Sequence, residues 1–379
     1  MPPYWIIDAH QDMAYNALSF GRDYLLSATE TRRLENNTPI VERNGHTMLG
    51  WPEFQRGQVA LICATLFIAP QGSGGGSWET QVYRDARQAE TLWQGQLDYY
   101  RRLTGDHPDH FRLVTNRAEL ADTLAPWMAE PAELPPPAPE GQELARRVTH
   151  PVGLVLLMEG AGGLKEPKQI ERWWEAGVRI VGPVWSGSRF CGSNMEPGGF
   201  TREGLELLEV MAGLGMTLDV SHMSEKAVLQ AVDAYEGNIV ATHANARALL
   251  KRPEDERHLS DLCIRRLVER EAVIGILPFG KFLRPGWTSQ DAAALTTFDH
   301  IVAHIDHICQ IAGDAHHVGL GSDFDGGWGW PHATVELNSI ADFQKLAPRL
   351  AASGYNESEI GLILGENWRA ALERNLPPA

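Results

Sequence analysis

Residues 215–243 read GMTLDVSHMSEKAVLQAVDAYEGNIVATH, and this stretch decides the fold. A short apolar run at 216–221 is followed by a helical pattern at 224–235 and a second apolar run at 238–242. That order is one β-α-β unit of a parallel sheet, in which a crossover helix joins neighbouring strands. Each run ends in a histidine, His222 and His243. On consecutive parallel strands the two histidines become neighbours at the same end of the sheet.

The same alternation extends outward in both directions. Further strand candidates lie at 4–8, 58–67, 152–158, 178–184, 272–277 and 317–321, which makes eight in all. They are short, rich in Val, Ile and Leu, and apolar on both faces, as buried parallel strands are. Helical patterns at 79–103, 166–176, 202–213, 260–270 and 298–312 fall between them. The expected fold is a (β/α)8 TIM barrel; an open doubly wound sheet is the competitor. A barrel needs ~250 residues plus insertions, so the 379 residues read as one domain, 1–379. Two segments read as inserted after the second strand. One is the glycine-rich loop 70–77, and the other is the stretch from about 104 to 150. Within the latter, 126–141 includes PAELPPPAPEG and reads as a linker, neither helix nor central strand.

Bulk properties narrow the partners. A net charge of −16 repels phosphate backbones and anionic lipid, so neither nucleic acid nor a membrane surface is expected. No run approaches the ~20 apolar residues of a membrane span. The opening MPPYWIID lacks a basic leader, and the four cysteines form no C-x-x-C pair. The expected location is the cytoplasm, with the thiols reduced.

Active sites of such barrels lie at the C-terminal strand ends. There the sequence places His10 and Asp12, Glu159, His222, His243, and Asp323 with Asp325. Each alone has an ordinary explanation: a strand-end histidine is more often a hydrogen-bonded structural residue, and Glu159 could be a salt-bridged rim residue. Together, three imidazoles and several carboxylates on one rim match the donors that zinc or a similar ion prefers. His10 and Asp12, two apart, share a face and can chelate one cation. A carboxylate between two such sets can bridge two ions, and an ion pair can activate water and polarise a carbonyl together. Asp323 would then orient that water and carry its proton.

These residues sit in a set of words that resembles the membrane (renal) dipeptidase family of zinc metallopeptidases, in a bacterial-type form. The words are DAHQD at 8–12, MEGAGGL at 158–164, GMTLDVSHMS at 215–224, ATHANARAL at 241–249, RHLSD at 257–261, HIDHI at 304–308, HHVGLGSDFDGG at 316–327 and LGENWRAAL at 364–372. The resemblance implies an amidohydrolase-type barrel that holds two divalent ions, with zinc expected. It gives His10 and Asp12 to the first, His222 and His243 to the second, and Glu159 to both. It implies a small dipeptide-like substrate, with a C-terminal residue that can have D configuration. Arg257 would hold the substrate's carboxylate, Asp323 would be the catalytic carboxylate, and the chain would be a homodimer. One position departs. Mammalian members carry a histidine after the fourth strand, assigned to the oxyanion; here the segment is Gly182-Pro183-Val184-Trp185. Losing such a donor costs about 10²–10³ in rate, so Trp185 or nearby Arg189 substitutes, or the preferred substrate differs. Two other readings stay open: a related barrel acting on another small amide or lactone, and a non-catalytic metal-binding relative. The first is disfavoured because strand one carries H-x-D, not H-x-H.

Overall fold

The second strand shows why the sheet forms. In a computed structural model describing residues 3–73, 76, 78–133, 147–251, 255–288 and 295–379, Val59–Phe67 (β2) is buried along all but its last residue. A strand with no polar face is stable only with a hydrogen-bonded neighbour on each edge and a packed layer on each side. Its parallel neighbours are Ile6–Gln11 (β1) and Val152–Glu159 (β3), the latter paired in unbroken register from Leu61↔Gly153 to Phe67↔Glu159. The sheet continues through Val178–Gly182 (β4), Thr217–Asp219 (β5) and Ile239–Val240 (β6). On the other side of β1 stand Val318–Leu320 (β8) and then Ile274–Ile276 (β7).

A parallel bridge between Ala241 and Ile274 joins the two ends and closes the barrel. Ala241 N–H donates to Val273 O at 3.0 Å, and Gly275 N–H donates to Ala241 O at 2.8 Å. The closure requires glycine at two positions. A Cβ on Gly275 or on Gly321 would lie 2.0 or 1.8 Å from the Thr242 carbonyl oxygen. The expected (β/α)8 barrel is therefore the observed fold, with each of the eight strands overlapping its expected run and β1 reaching further, to Gln11.

Crossover helices pack outside. Arg202–Leu214 (α4) precedes β5 and Glu225–Ala234 (α5) joins β5 to β6, with Ser224 capping α5 by accepting from Ala227 N. The first connection holds four helices, at 13–20 (α1), 28–35, 39–44 and 51–56, that the apolar pattern did not signal. After β2, Ala86–Asp106 (α2) starts at an Asp85 cap; residues 82–83 ahead of it form a short strand on 69–70.

The stretch after α2 corrects one expectation. Phe111–Leu113 pairs with the first residues of β3, and Arg117–Ala129 (α3) packs on β2 and β3. Residues 126–129 are thus helical, with Pro126 inside α3. The last turn is kept because the next residue, Trp127, is buried and its Nε1–H donates to Pro151 O at 2.9 Å. The proline run beyond, 134–141, lies outside the described residues. Near the C-terminus, Asn367 and Trp368 donate to carbonyls of Ala315, Val318 and Leu320, which fastens the final helix to β8. Among the described residues, no helix is long and apolar enough to cross a membrane.

Candidate metal centre

The strand ends converge. Asp8 locks the tips of β1 and β8 together: it accepts from Ser322 N at 2.6 Å, Ser322 Oγ at 2.5 Å and Gln11 Nε2 at 2.7 Å. This carries His10 and Asp12 to Asp323, whose N–H donates to His10 O at 3.1 Å. Glu159, the last residue of β3, points into the same space. His10 Nε2 is 3.5 Å from Glu159 Oε2, and His222 Nε2 and His243 Nε2 are 3.0 and 3.5 Å from Glu159 Oε1. Three overlapping groups have their ligand atoms within 4.8 Å of one another: His10 with Asp12 and Glu159, Glu159 with His222 and His243, and His10 with His243 and Asp323. Two of these residues, His222 (φ 66°) and Asp323 (φ 54°), hold left-handed backbone that non-glycine residues rarely adopt. Such strain gathers where a side chain's position matters.

The donor set fits metal. Three carboxylates, Asp12, Glu159 and Asp323, crowd a buried space beside the buried cation Arg257. Burial, and then Glu159, pushes Asp12 up to about 7. Burial also raises Asp323 well above the carboxylate range, despite the nearby His10. Burial pulls His10 down, but Glu159, Asp12 and Asp323 outweigh it and push it up to about 10. Burial would raise Glu159, yet His10 and His222 hold it well below the usual range. Burial, then Arg257, draws His222 down to about 4; burial, then His10 and Arg257, draws His243 well below its ordinary value. The side chains alone leave carboxylates in conflict, and metal cations among them would resolve it. Geometry agrees. His222 Nε2 and His243 Nε2 face each other at 2.9 Å beside Glu159 Oε1, and buried His10 Nε2 has no hydrogen-bond partner among the described residues.

Supporting hydroxyls and one indole were not legible from the sequence. Thr65 Oγ1 on β2 donates to Asp12 Oδ1, Trp328 Nε1 donates to Asp323 Oδ2 at 3.2 Å, and Thr242 Oγ1 lies against both His10 and His243. Above them opens a cavity of about 710 Å³, lined by Asp12, Glu159, His222 and Asp323 at its floor and by aromatic residues including Phe67, Trp185 and Phe279.

The family model for membrane dipeptidase (peptidase family M19) matches residues 140–374. The chain belongs to the membrane dipeptidase family. Membership makes it an enzyme of the metallopeptidase class, for whose metal ions the three groups above are the candidate holders. An uncharacterized Klebsiella pneumoniae protein in the pqqA 5′ region is 36% identical over 234 residues, 59% of this chain and 82% of that protein. Two further curated relatives are matched over 53% and 52% of their own length. A dipeptidase AC crystal structure aligns with TM-score 0.74 at 22% identity, covering 99% of both chains. A Rhodobacter sphaeroides metallopeptidase, liganded with a phosphinate mimic of L-Ala-D-Ala, aligns with TM-score 0.72 at 22% identity over 98% of this chain and 99% of that one.

On this membrane dipeptidase barrel the substrate-side candidates fall differently. Arg257 is buried, lines the cavity, and donates from Nη1 to His243 O at 3.0 Å. Among the described residues it forms no ion pair; Glu256 instead accepts from Glu225 N, and Glu254 lies outside the described residues. Trp185 lines the cavity beside His222 and Phe67, with ring centroids 6.2 and 5.0 Å away. Arg189, expected as a second substrate contact, is held elsewhere. Its guanidinium donates to the carbonyls of Gly162, Leu164 and Lys165 and pairs with Glu203 at 3.1 Å. A loop that turns three carbonyls outward has captured it, and it does not line the cavity. Asp325 is structural: it pairs with Arg22 and accepts from Thr47, Met48 N and Tyr24.

Proposed function

We propose that the chain is a binuclear-metal hydrolase of dipeptides or dipeptide-like substrates, with zinc the expected ion. The observation that carries this reading is Glu159. It alone belongs both to the group of His10 and Asp12 and to the group of His222 and His243, presenting Oε2 to one and Oε1 to the other. Imidazole and carboxylate donors of this kind suit Zn²⁺. Bound there, such ions supply Lewis-acid polarisation of the scissile carbonyl and activation of water.

The remaining roles belong to the chain's own side chains. Arg257 offers a fork of donors to the free carboxylate of the substrate, a partner it does not have among the described residues. Asp323 has Oδ2 engaged by Trp328, which leaves Oδ1, 4.0 Å from His10 Nε2, to take a proton from water and return it to the departing amine. Trp185 takes the position of the family's oxyanion histidine and sets an aromatic wall against the substrate. The L-Ala-D-Ala mimic held by the Rhodobacter sphaeroides protein supports including substrates with a D C-terminal residue. The test is elemental analysis of zinc-reconstituted protein with a dipeptide library carrying L and D C-terminal residues. Two metals per chain and amide cleavage are expected. One metal or none after reconstitution would sink the binuclear reading, and no cleavage across the library would sink the substrate class.

A further inference from the structure

We propose that Thr242, backed by Asp219, is a positioning residue that fixes both His10 and His243 in the Nδ1–H tautomer and so turns both Nε2 lone pairs toward the metal centre. The inference rests on the reading of those two histidines as ligands, and it concerns what makes them ligands.

A threonine hydroxyl has one proton to give and two lone pairs to receive with. Thr242 Oγ1 has four polar neighbours. Asp219 Oδ2 is 2.5 Å away, His243 Nδ1 3.0 Å, His10 Nδ1 3.2 Å and Ser221 Oγ 3.4 Å. Every group that meets the Asp219 carboxylate is a donor. Ser221 N, Ser221 Oγ and Thr242 N all reach Oδ1, at 3.0, 2.8 and 2.9 Å, and Thr242 Oγ1 reaches Oδ2. The single Thr242 proton therefore goes to Asp219. The Ser221 proton is spent on the same carboxylate, so the 3.4 Å contact carries none. What remains on Thr242 is two lone pairs, facing two imidazole Nδ1 atoms. Both rings must then be donors at Nδ1, and a neutral imidazole that donates at Nδ1 has its free lone pair at Nε2. Nε2 is the atom that each ring sends toward Glu159.

The two rings lie side by side, centroids 3.7 Å apart, so one oxygen can serve both. The fold holds the backbone of that residue still: the Thr242 carbonyl is packed against Gly275 and Gly321, where a Cβ would not fit. His222 is outside the arrangement, its buried Nδ1 having no partner among the described residues.

The experiment uses the full chain, Zn²⁺ as probe, and variants Thr242→Ser, Thr242→Val and Asp219→Asn. Zinc affinity is read by chelator competition. The protonated ring nitrogen is read by long-range ¹H–¹⁵N correlation on ¹⁵N-histidine protein loaded with zinc. Wild type should show Nδ1–H at His10 and His243. Thr242→Ser keeps the hydroxyl and should hold zinc as wild type does. Thr242→Val keeps the shape and should bind zinc about 10–100-fold more weakly, with the melting of the metal-free protein little changed. Asp219→Asn should weaken binding at least as much. An amide nitrogen facing Oγ1 donates to Thr242, takes up one lone pair, and turns the hydroxyl proton onto an imidazole. Wild type with Nε2–H at either ring, or Thr242→Val with wild-type affinity and signature, would overturn the proposal. Should Thr242→Val fail to fold, the wild-type spectrum and Thr242→Ser still decide. Wild type that takes up no zinc would instead overturn the metal-centre reading itself.

Discussion

The two halves of the ligand cluster are built to different standards. On the strand-one side, His10 lies on β1 and Asp12 just beyond it, both are buried, and their outward atoms are bonded to Thr242 and Thr65. On the strand-five side, His222 sits at a left-handed φ of 66° in the loop after β5, at the cavity floor, with Nδ1 unpartnered among the described residues. Glu159 joins the halves. The braced side is thus held at both of its residues, while the lightly held side is braced at His243, whose Nδ1 shares Thr242, and not at His222.

The largest effect tests the joint. Glu159→Gln should lower the metal content of both halves together, by more than the about 100-fold in affinity that an outer bracing partner is worth. Loss from one half only, in a metal titration, would show that the halves are independent. Next, Asp323→Asn separates ligation from chemistry on the braced side. Its removal should leave metal content unchanged and lower kcat on the order of 10²–10⁴. Near-normal turnover would assign the proton transfer to another group.

How much of this was legible in the sequence follows from where each interaction runs. Strands buried on both faces announce themselves, so the barrel was readable, and with it the candidate ligands that share one rim. Thr65 was not, because its partner Asp12 comes from the neighbouring strand through the β1–β2 register. Thr242 was still further from reach, since it meets His10 from a strand that is not β1's neighbour. The four helices between β1 and β2 are 8, 8, 6 and 6 residues long, too short for a clear periodic stripe. Pro126 misled because its local expectation, helix breaker, is overridden by a distant carbonyl, Pro151 O, which holds the turn containing Trp127. Arg189, expected beside the substrate, is bonded to the carbonyls of the 162–165 loop, which the local sequence does not announce.

The Arg257 side offers a smaller, more selective effect. Its Nη1 is tied to the His243 carbonyl, so it belongs to the second half, yet among the described residues no carboxylate forms an ion pair with it, although Asp323 and Glu159 lie near. Arg257→Met should weaken kcat/KM for dipeptides with a free C-terminus by about 2–5 kcal/mol, and far less for their amides. Equal losses on both substrate types would make Arg257 a brace for His243 and nothing more.

The smallest effect concerns the wall beside the lightly held half. Trp185 is half-buried, set edge-on to Phe67 at 64° and near the His222 ring. An indole nitrogen donates one hydrogen and has no lone pair for a metal, so Trp185 acts on substrate or on packing only. Its backbone and Cβ also crowd Gly160, the residue after Glu159, where an added Cβ would lie 3.1 Å from the Trp185 Cβ. A change in the indole ring leaves that backbone contact in place, so ligation by Glu159 should survive Trp185→His. The shorter imidazole would open the wall against Phe67 and restore the residue type of the mammalian relatives. Metal content should therefore stay at the wild-type level, while the rank order of dipeptides shifts away from large apolar side chains by a few-fold to about tenfold, the scale of one apolar contact. An unchanged rank order with a lowered melting temperature would make Trp185 a packing residue. Specificity would then have to come from the other aromatic residues of the cavity, and the lightly held half would owe its freedom to His222 alone.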